Sequence, residues 1–232
     1  RSTDRAEDAA AEIRGSAGSD GLDGTLDVRA CDLADLDSVA SFAESTREEY
    51  PEIDVLCNNA GVMEIPRRET KDGFEMKLGV NHMGHFALTG QLLPALAAAG
   101  SRSDPARVVT QSSGAHETGE MDFDDLHWEA SYSKWAAYGR SKLSNLLFAY
   151  ELDRRLDDHG LPVESVACHP GYAATNLQHR TGAESSLPFA EYGMKLANKL
   201  LGQSAAQGAL PMLYAAVADV AGGDYVGPDG FQ

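Results

Sequence analysis

The sequence has few cysteines and no long apolar run, and both shortages limit what the protein can be. Its three cysteines, Cys31, Cys57 and Cys168, match neither the spacing of a zinc ribbon nor a redox Cys-x-x-Cys pair. Each lies in an apolar run, which predicts a small buried hydrophobic side chain. No stretch of about 18 apolar residues occurs, and the opening RSTDRAEDAA is not a basic region followed by an apolar one. We therefore expect a soluble, cytoplasmic protein without a membrane span.

Positive charge is also scarce. The chain has 19 lysines and arginines against 36 acidic residues, which gives a formal net charge of −17. The acidic residues are spread along the chain, which predicts a solvated acidic surface and argues against a nucleic-acid partner. The composition resembles that of proteins from salt-rich cytoplasm. There, salt screens such self-repulsion, with a Debye length of about 3 Å at 1 M.

The order of apolar and amphipathic segments predicts the fold. Apolar, β-branched segments alternate with longer segments of helical period. The predicted strands cover 24–32, 53–60, 106–113 and 162–170, and the predicted helices 4–14, 35–49, 71–99 and 136–159. Near-continuous apolar strands are typical of a parallel sheet covered on both faces. We therefore predict one α/β domain over 1–232 with a doubly wound, Rossmann-like, mostly parallel sheet, whose ligands bind where the strands end.

Two long segments fit no simple unit of that fold. Residues 114–135 form a polar insertion that is a pocket wall or a passive surface loop, and residues 176–205 are predicted to form a substrate-side lid. The aromatic residues Trp128, Tyr132 and Trp135 of the insertion admit two interpretations, contact with an apolar substrate or packing against the domain.

The strongest indication of chemistry is Tyr138 followed by Lys142. A spacing of four places both side chains on one face of a helix. A phenol with a pKa of about 10 is a poor acid or base near neutrality, and an ammonium group about 5 Å away would lower that pKa by about 2. Ser113, at the end of a predicted strand, and Asn81, in GVNHMGHF, precede this pair. The four residues predict a proton-transfer site.

At these residues the chain resembles the short-chain dehydrogenase/reductase family, most closely its retinol-dehydrogenase-like branch. The resemblance runs from about residue 1 to residue 230 and rests on motifs in the family's order, NNAG, VNHMGHF, SSGAH, YGRSK and HPG. It implies hydride transfer between a nicotinamide cofactor and a small-molecule carbonyl/alcohol pair, with a hydrophobic aldehyde or ketone as substrate. By this resemblance Tyr138 is the acid/base and Lys142 lowers its pKa and holds the nicotinamide ribose. Ser113 positions the carbonyl, and Asn81 anchors a proton-relay water.

The same resemblance implies a dinucleotide site. It places Asp32 and Leu33 at the adenine, Asn59, Ala60 and Gly61 beside the adenosine ribose, and Pro170, Gly171 and Thr175 around the nicotinamide. Arg1 falls at the end of the family's second strand, where an arginine can pair with a 2′-phosphate. We therefore expect NADP(H) in preference to NAD(H). This preference requires that the attraction of Arg1 for the 2′-phosphate exceed the repulsion from the acidic chain, which salt screens.

One family feature is absent from the sequence. The Gly-rich turn TGxxxGxG does not occur, and GSAGSDGLDG at 15–24 lies between a helix and a strand, at the wrong edge of the sheet for phosphate. We therefore expect the first βα unit to lie upstream of Arg1, which makes the chain a fragment.

Several alternatives compete with the reductase interpretation. His82 and His85 lack a third ligand at suitable spacing, so no metal is expected. Ser113 and His116 suggest a hydrolase, but no Gly-x-Ser-x-Gly elbow exists. A non-catalytic cofactor-sensing or scaffold protein of the same fold has no need of Asn81, Ser113, Tyr138 and Lys142 together. Self-association into a homo-oligomer is left open.

Overall fold

A parallel sheet forms the centre of the molecule. The computed structural model describes residues 3–16, 24–171 and 204–228. Four strands lie side by side in chain order, and all their pairings are parallel. They are β1 (Val55–Asn58), β2 (Ala106–Gln111), β3 (Val163–Cys168) and β4 (Tyr225–Val226). The predicted α/β class with a parallel sheet is confirmed.

The described ranges also contain six helices, several of which cover the sheet. They are α1 (Thr3–Ser16), α2 (Leu36–Glu49), α3 (Met76–Leu78), α4 (Gly84–Ala99), α5 (Lys134–Asp158) and α6 (Ala205–Val217), with a π-helical turn at Gly79–Met83 and a 3₁₀ turn at Gly114–Thr118. Side-chain caps fix several starts, since Asp35 accepts from the first amides of α2 and Ser133 from that of Ala136 in α5. None of the helices in the described ranges is long and apolar enough to cross a membrane.

Alternation along the strands explains why both faces of the sheet are covered. Successive side chains of a strand point to opposite faces. Val108 of β2 packs with apolar residues of α2, α4 and α5, such as Leu92. Its neighbour Val109 packs with Val166 of β3 and Ala215 of α6 on the other face. Helices therefore cover both faces of the sheet, and loops form the edge at which its strands end.

The prediction of a strand at 24–32 is wrong. In the described ranges this segment joins no ladder. Side chains bind part of its backbone instead, since Arg14 donates to the Leu26 carbonyl and the Asp32 amide donates to the Ser38 hydroxyl.

The helix predicted at 71–99 begins only at Met76. Glu75 caps α3 by accepting from two amides, and Gly73 ahead of it has φ +83, a left-handed turn that a helix cannot contain.

The cysteines follow the prediction only in part. Cys168 is fully buried, but Cys31 is half-buried and Cys57 is exposed, so the prediction for Cys57 is wrong. Cys57 lies on β1, an edge strand of the described sheet, where its face has little cover from α6. Two predicted cofactor residues, Arg1 and Thr175, lie outside the described residues, as does nearly all of the predicted lid.

Candidate active site

Ser113, Tyr138 and Lys142 meet where β2 ends against the first half of α5. Tyr138 and Lys142 are 6% and 4% exposed, and the Lys142 ammonium lies 5.9 Å from the centre of the phenol ring. Ser113 follows β2 and caps the 3₁₀ turn by accepting from the Ala115 amide at 3.2 Å. Its side chain also lies close enough to that of Tyr138 to lower the pKa of the phenol. The structure therefore brings these three predicted residues together.

The electrostatics of the pair differ from the prediction. Burial raises the pKa of Tyr138, and the Ser113 side chain lowers it by less. Burial also lowers the pKa of Lys142 to about 8. The predicted lowering of the Tyr138 pKa is thus not found, because both groups are buried and burial penalises the charged form of each. A phenol with a raised pKa is protonated at neutral pH and is a weaker acid than a free phenol, so proton donation from Tyr138 depends on stabilisation of the phenolate by neighbouring groups.

Two groups that the motifs did not indicate hold Lys142 in place. Its ammonium donates to the backbone carbonyl of Gln111 at 2.9 Å, and the Asn145 side chain donates to the same carbonyl at 3.0 Å. Asn145 in turn lies 3.3 Å from Nδ1 of His82. The position of Asn145, three residues after Lys142 on one helix, was the signal that could have found it.

Asn81 joins the loop after β1 to α5. It is fully buried in the π-helical turn, where its Oδ1 accepts from the Val62 amide at 2.7 Å. Its Nδ2 donates to the Val62 carbonyl and to the Ser141 hydroxyl, both at 2.9 Å. The side chain is therefore engaged in structure. The predicted role of Asn81 in a proton relay stays a prediction.

His85 reinforces the same turn. Its Nδ1 lies 2.9 Å from the Asn81 carbonyl, and burial lowers its pKa to about 4. The ring is therefore neutral near pH 7, and its N–H can donate to that carbonyl. Burial also lowers the pKa of His82. Both histidines make hydrogen bonds inside the domain.

The residues expected to line a dinucleotide follow the strand ends. Asn59 and Ala60 are exposed just after β1, whereas Gly61 is half-buried. A Cβ on Gly61 would lie 3.2 Å from Asn81 Oδ1 and 3.8 Å from Lys142 Nζ. This glycine therefore leaves room beside an ammonium donor, an arrangement that fits a ribose hydroxyl.

The remaining described cofactor candidates lie in turns. Pro170 and Gly171 follow β3, and Gly171 has φ +65, which favours glycine. Asp32 accepts from the Ala34 amide at 3.0 Å. Leu33 packs against the start of α4, where a Cβ on Gly84 would lie 2.6 Å from the Leu33 carbonyl oxygen. Leu33 is thus next to the π-helical turn that carries Asn81.

Of Trp128, Tyr132 and Trp135 in the insertion 114–135, two pack against the domain and one is exposed beside Tyr138. Trp128 stacks on the Arg140 guanidinium at 4.2 Å, and Tyr132 hydrogen-bonds with Glu75, so both pack against the domain. Trp135 is 52% exposed, and its ring lies edge-to-face with that of Tyr138 at 6.1 Å. It offers an apolar surface beside the phenol.

The serine hydrolase alternative does not fit the geometry. Nδ1 of His116 lies 2.7 Å from the backbone carbonyl of Ser113 and 3.3 Å from the Tyr225 hydroxyl. The Ser113 hydroxyl instead interacts with Tyr138 and caps the 3₁₀ turn. His116 is therefore a structural partner of the β2 end and not the base of a serine nucleophile.

Comparison with known proteins agrees with this geometry. A sequence model for the family described as short chain dehydrogenase matches residues 1–186. Retinol dehydrogenase 14 of Mus musculus is 48% identical over 179 residues, which cover 75% of this chain and 52% of the relative. Polyprenol dehydrogenase of Mus musculus is 41% identical over 218 residues, which cover 92% of this chain and 61% of the relative. The chain thus spans about half to three fifths of the length of these relatives.

A solved structure extends the comparison to the fold. The crystal structure of a protein from Mycobacterium paratuberculosis has 41% sequence identity and a TM-score of 0.68, and the match covers 93% of this chain and 68% of that one. The fold is thus shared with a protein of similar sequence.

Proposed function

The chain belongs to the short-chain dehydrogenase family, and from this membership we propose that it is an oxidoreductase acting on a carbonyl/alcohol pair. The observation that carries the proposal is the joint placement of Ser113, Tyr138 and Lys142 at the carboxyl end of β2. Proton transfer needs a donor and a group that orients the substrate, and this cluster offers both. A cytoplasmic location and self-association stay predictions.

In the direction of carbonyl reduction, each side chain has a separate task. A nicotinamide dinucleotide supplies the hydride when bound. The Ser113 hydroxyl orients the carbonyl oxygen, and the protonated phenol of Tyr138 delivers a proton to that oxygen as negative charge develops on it. Lys142 stabilises the phenolate that remains, and it would hold a ribose of the bound cofactor. The reverse direction uses the same groups in the opposite order.

We further propose that the substrate is a hydrophobic aldehyde or ketone, or the matching alcohol. The exposed ring of Trp135 beside Tyr138 supports an apolar substrate, because a flat aromatic face buries a large area on contact. Relatives named retinol dehydrogenase and polyprenol dehydrogenase support the same class.

Replacing Tyr138 by phenylalanine tests the proposed reaction. Loss of the hydroxyl should lower kcat by about 10²- to 10⁴-fold and leave dinucleotide affinity within about twofold, because the ring still packs. The matched control is Tyr150→Phe on the same helix, whose side chain is exposed. Turnover of Tyr138→Phe close to that of the control would refute the assignment and favour a non-catalytic, cofactor-sensing role.

The preference for NADP(H) rests on Arg1 and needs its own test. We expect a higher kcat/KM with NADPH than with NADH, and we expect Arg1→Ala to reduce that preference by about tenfold or more. Arg14→Ala serves as a control, because Arg14 is an exposed cation on α1. A preference for NADH, or an NADPH preference that Arg1→Ala leaves unchanged, would remove Arg1 from the cofactor site.

A further inference from the structure

A buried polar cluster outside the reaction site joins two separate parts of the chain. The side chains of Glu75 and Lys77 are 1% and 0% exposed, and the Lys77 ammonium lies 3.8 Å from Glu75 Oε1. Lys77 also donates to the Ile65 carbonyl at 3.0 Å and to the Tyr132 hydroxyl. That hydroxyl lies 3.0 Å from Glu75 Oε1. The charges of Glu75 and Lys77 thus balance, and the Tyr132 hydroxyl hydrogen-bonds with both side chains.

The cluster connects two segments of the chain that lead into the reaction site. On one side, Lys77 precedes Asn81 by four residues, and Glu75 Oε2 caps the short helix that leads into the π-helical turn. On the other side, Tyr132 belongs to the insertion and precedes Trp135 by three residues and Tyr138 by six. A shift of Tyr132 would therefore move Trp135 relative to Asn81.

Two further contacts join the insertion 114–135 to residues 65–78. The Glu75 amide donates to Nδ1 of His127 at 3.3 Å, and Arg67 donates to the Trp128 carbonyl at 3.1 Å. The Lys77 ammonium also lies over the Tyr132 ring, 4.6 Å from its centre. Polar contacts therefore determine where the insertion lies against residues 65–78.

We propose that Glu75, Lys77 and Tyr132 form a clamp that positions the insertion beside the reaction site and thereby sets the selectivity for large apolar substrates. A buried ion pair is weak support for stability, since apolar residues of similar volume often serve as well. It does fix geometry, because hydrogen bonds are directional where apolar contacts are not. The three are positioning residues, and their selectivity role rests on the proposed function.

Two substitutions separate positioning from stability. Tyr132→Phe removes the bridging hydroxyl and leaves the charged pair in contact. The double variant Glu75→Gln with Lys77→Met removes both charges together, so that no unpaired charge is buried, and glutamine keeps an oxygen for the cap. Matched controls are Tyr50→Phe and Lys71→Met, whose polar groups contact acidic side chains at the exposed surface.

The first readout does not depend on catalysis. Hydrogen–deuterium exchange of residues 120–132 should accelerate by about tenfold in Tyr132→Phe and in the double variant, and in neither control. Unchanged exchange in both clamp variants would overturn the proposal, whether or not the protein reduces carbonyls. Absence of turnover in the unmodified protein would instead count against the proposed function alone.

The second readout is selectivity. With a long apolar aldehyde, both clamp variants should raise KM by about tenfold, whereas KM for a small aldehyde and the dinucleotide Kd should stay within about twofold. The double variant should keep a melting temperature near that of the unmodified protein. Equal changes of KM for both aldehydes, or a lower melting temperature with unchanged selectivity, would show that the cluster only stabilises the fold.

Discussion

Lys142 contacts three parts of the site through one side chain. Its ammonium donates to the Gln111 carbonyl, lies 5.9 Å from the Tyr138 ring centre and would be 3.8 Å from a Cβ on Gly61. The first contact holds the ammonium in place, and the other two direct it toward the phenol and toward space for a ligand. The loss of this residue should therefore affect proton transfer and cofactor binding together.

Replacing Lys142 by methionine tests this double role, because methionine keeps much of the volume and removes the charge. We expect kcat to fall by about 10²-fold and the dinucleotide Kd to rise by about tenfold. Steady-state kinetics and a fluorescence titration of NADPH measure the two effects. Lys71→Met, at a surface ion pair, should change neither. A variant that loses only one of the two properties would contradict the shared role.

The motifs indicated the candidate side chains of the site but not the groups that support them. Tyr138, Lys142, Ser113 and Asn81 are recognisable because their residue types and spacing are unusual together. The Gln111 carbonyl is a backbone group, and a backbone group leaves no mark in a sequence. The predicted pKa of Tyr138 was wrong for a related reason, since burial arises from tertiary packing and outweighs a charge at that distance.

At the scale of elements, the π-helical turn between α3 and α4 joins the loop after β1 to α5, the helix that carries Tyr138 and Lys142. It puts Asn81 where its side chain can hold both backbone groups of Val62. His85, one turn later, caps the Asn81 carbonyl. A π-helical turn shifts the hydrogen-bond pattern of a helix, so such a side chain can compensate for altered backbone pairing.

Acid should weaken this element through His85. The folded pKa of about 4 is below the usual value of about 6.5, so between these pH values the unfolded chain binds the extra proton. Stability is therefore fully present above about pH 6.5 and falls as the pH drops towards 4, by up to about 3 kcal/mol. Urea unfolding between pH 4 and 7 measures the loss.

His85→Gln is the matched variant for that measurement. It removes the titrating ring and keeps an amide donor for the Asn81 carbonyl. As the pH falls from 7 towards 4, the unmodified protein should lose up to about 3 kcal/mol more stability than the variant, because only the unmodified protein has a buried ring to protonate. Parallel pH profiles for the two proteins would show that His85 does not titrate in this range.

The elements were predicted to different degrees. The predicted strands 53–60, 106–113 and 162–170 contain β1, β2 and β3, because their apolar character reflects burial between two layers. The segment 24–32 has the same character but pairs with no strand in the described chain, and pairing is not encoded locally. β4 and α6 were not predicted, since one has two residues and the other contains Gly208 and Pro211.

At the scale of the whole molecule, acidic charge dominates the surface. Many of the described cations already contact carboxylates nearby. Arg154 binds Glu151 and Asp158 on the exposed side of α5, and Lys71 binds Asp35 and Asp37. Such exposed pairs contribute little each. The excess acidic groups repel one another across the surface, and dissolved ions weaken that repulsion.

Salt should therefore stabilise the protein. Raising KCl from 0.1 to 2 M should increase the melting temperature by about 4–8 °C, the shift expected from a gain of about 2 kcal/mol. Differential scanning calorimetry measures it, and sucrose at equal osmolality controls for effects other than screening. A flat or falling melting temperature would show that the net charge of −17 is not the limiting factor.

The contact between Lys142 and the Gln111 carbonyl also bears on when conformational entropy is lost. A free lysine side chain samples many rotamers, and fixing it costs up to about 2 kcal/mol. In this fold the restriction occurs as α5 packs against β2, before any ligand arrives. A dinucleotide that binds this ammonium therefore meets a donor whose conformational entropy was already lost on folding. The binding free energy of the dinucleotide therefore does not include the cost of ordering the Lys142 side chain.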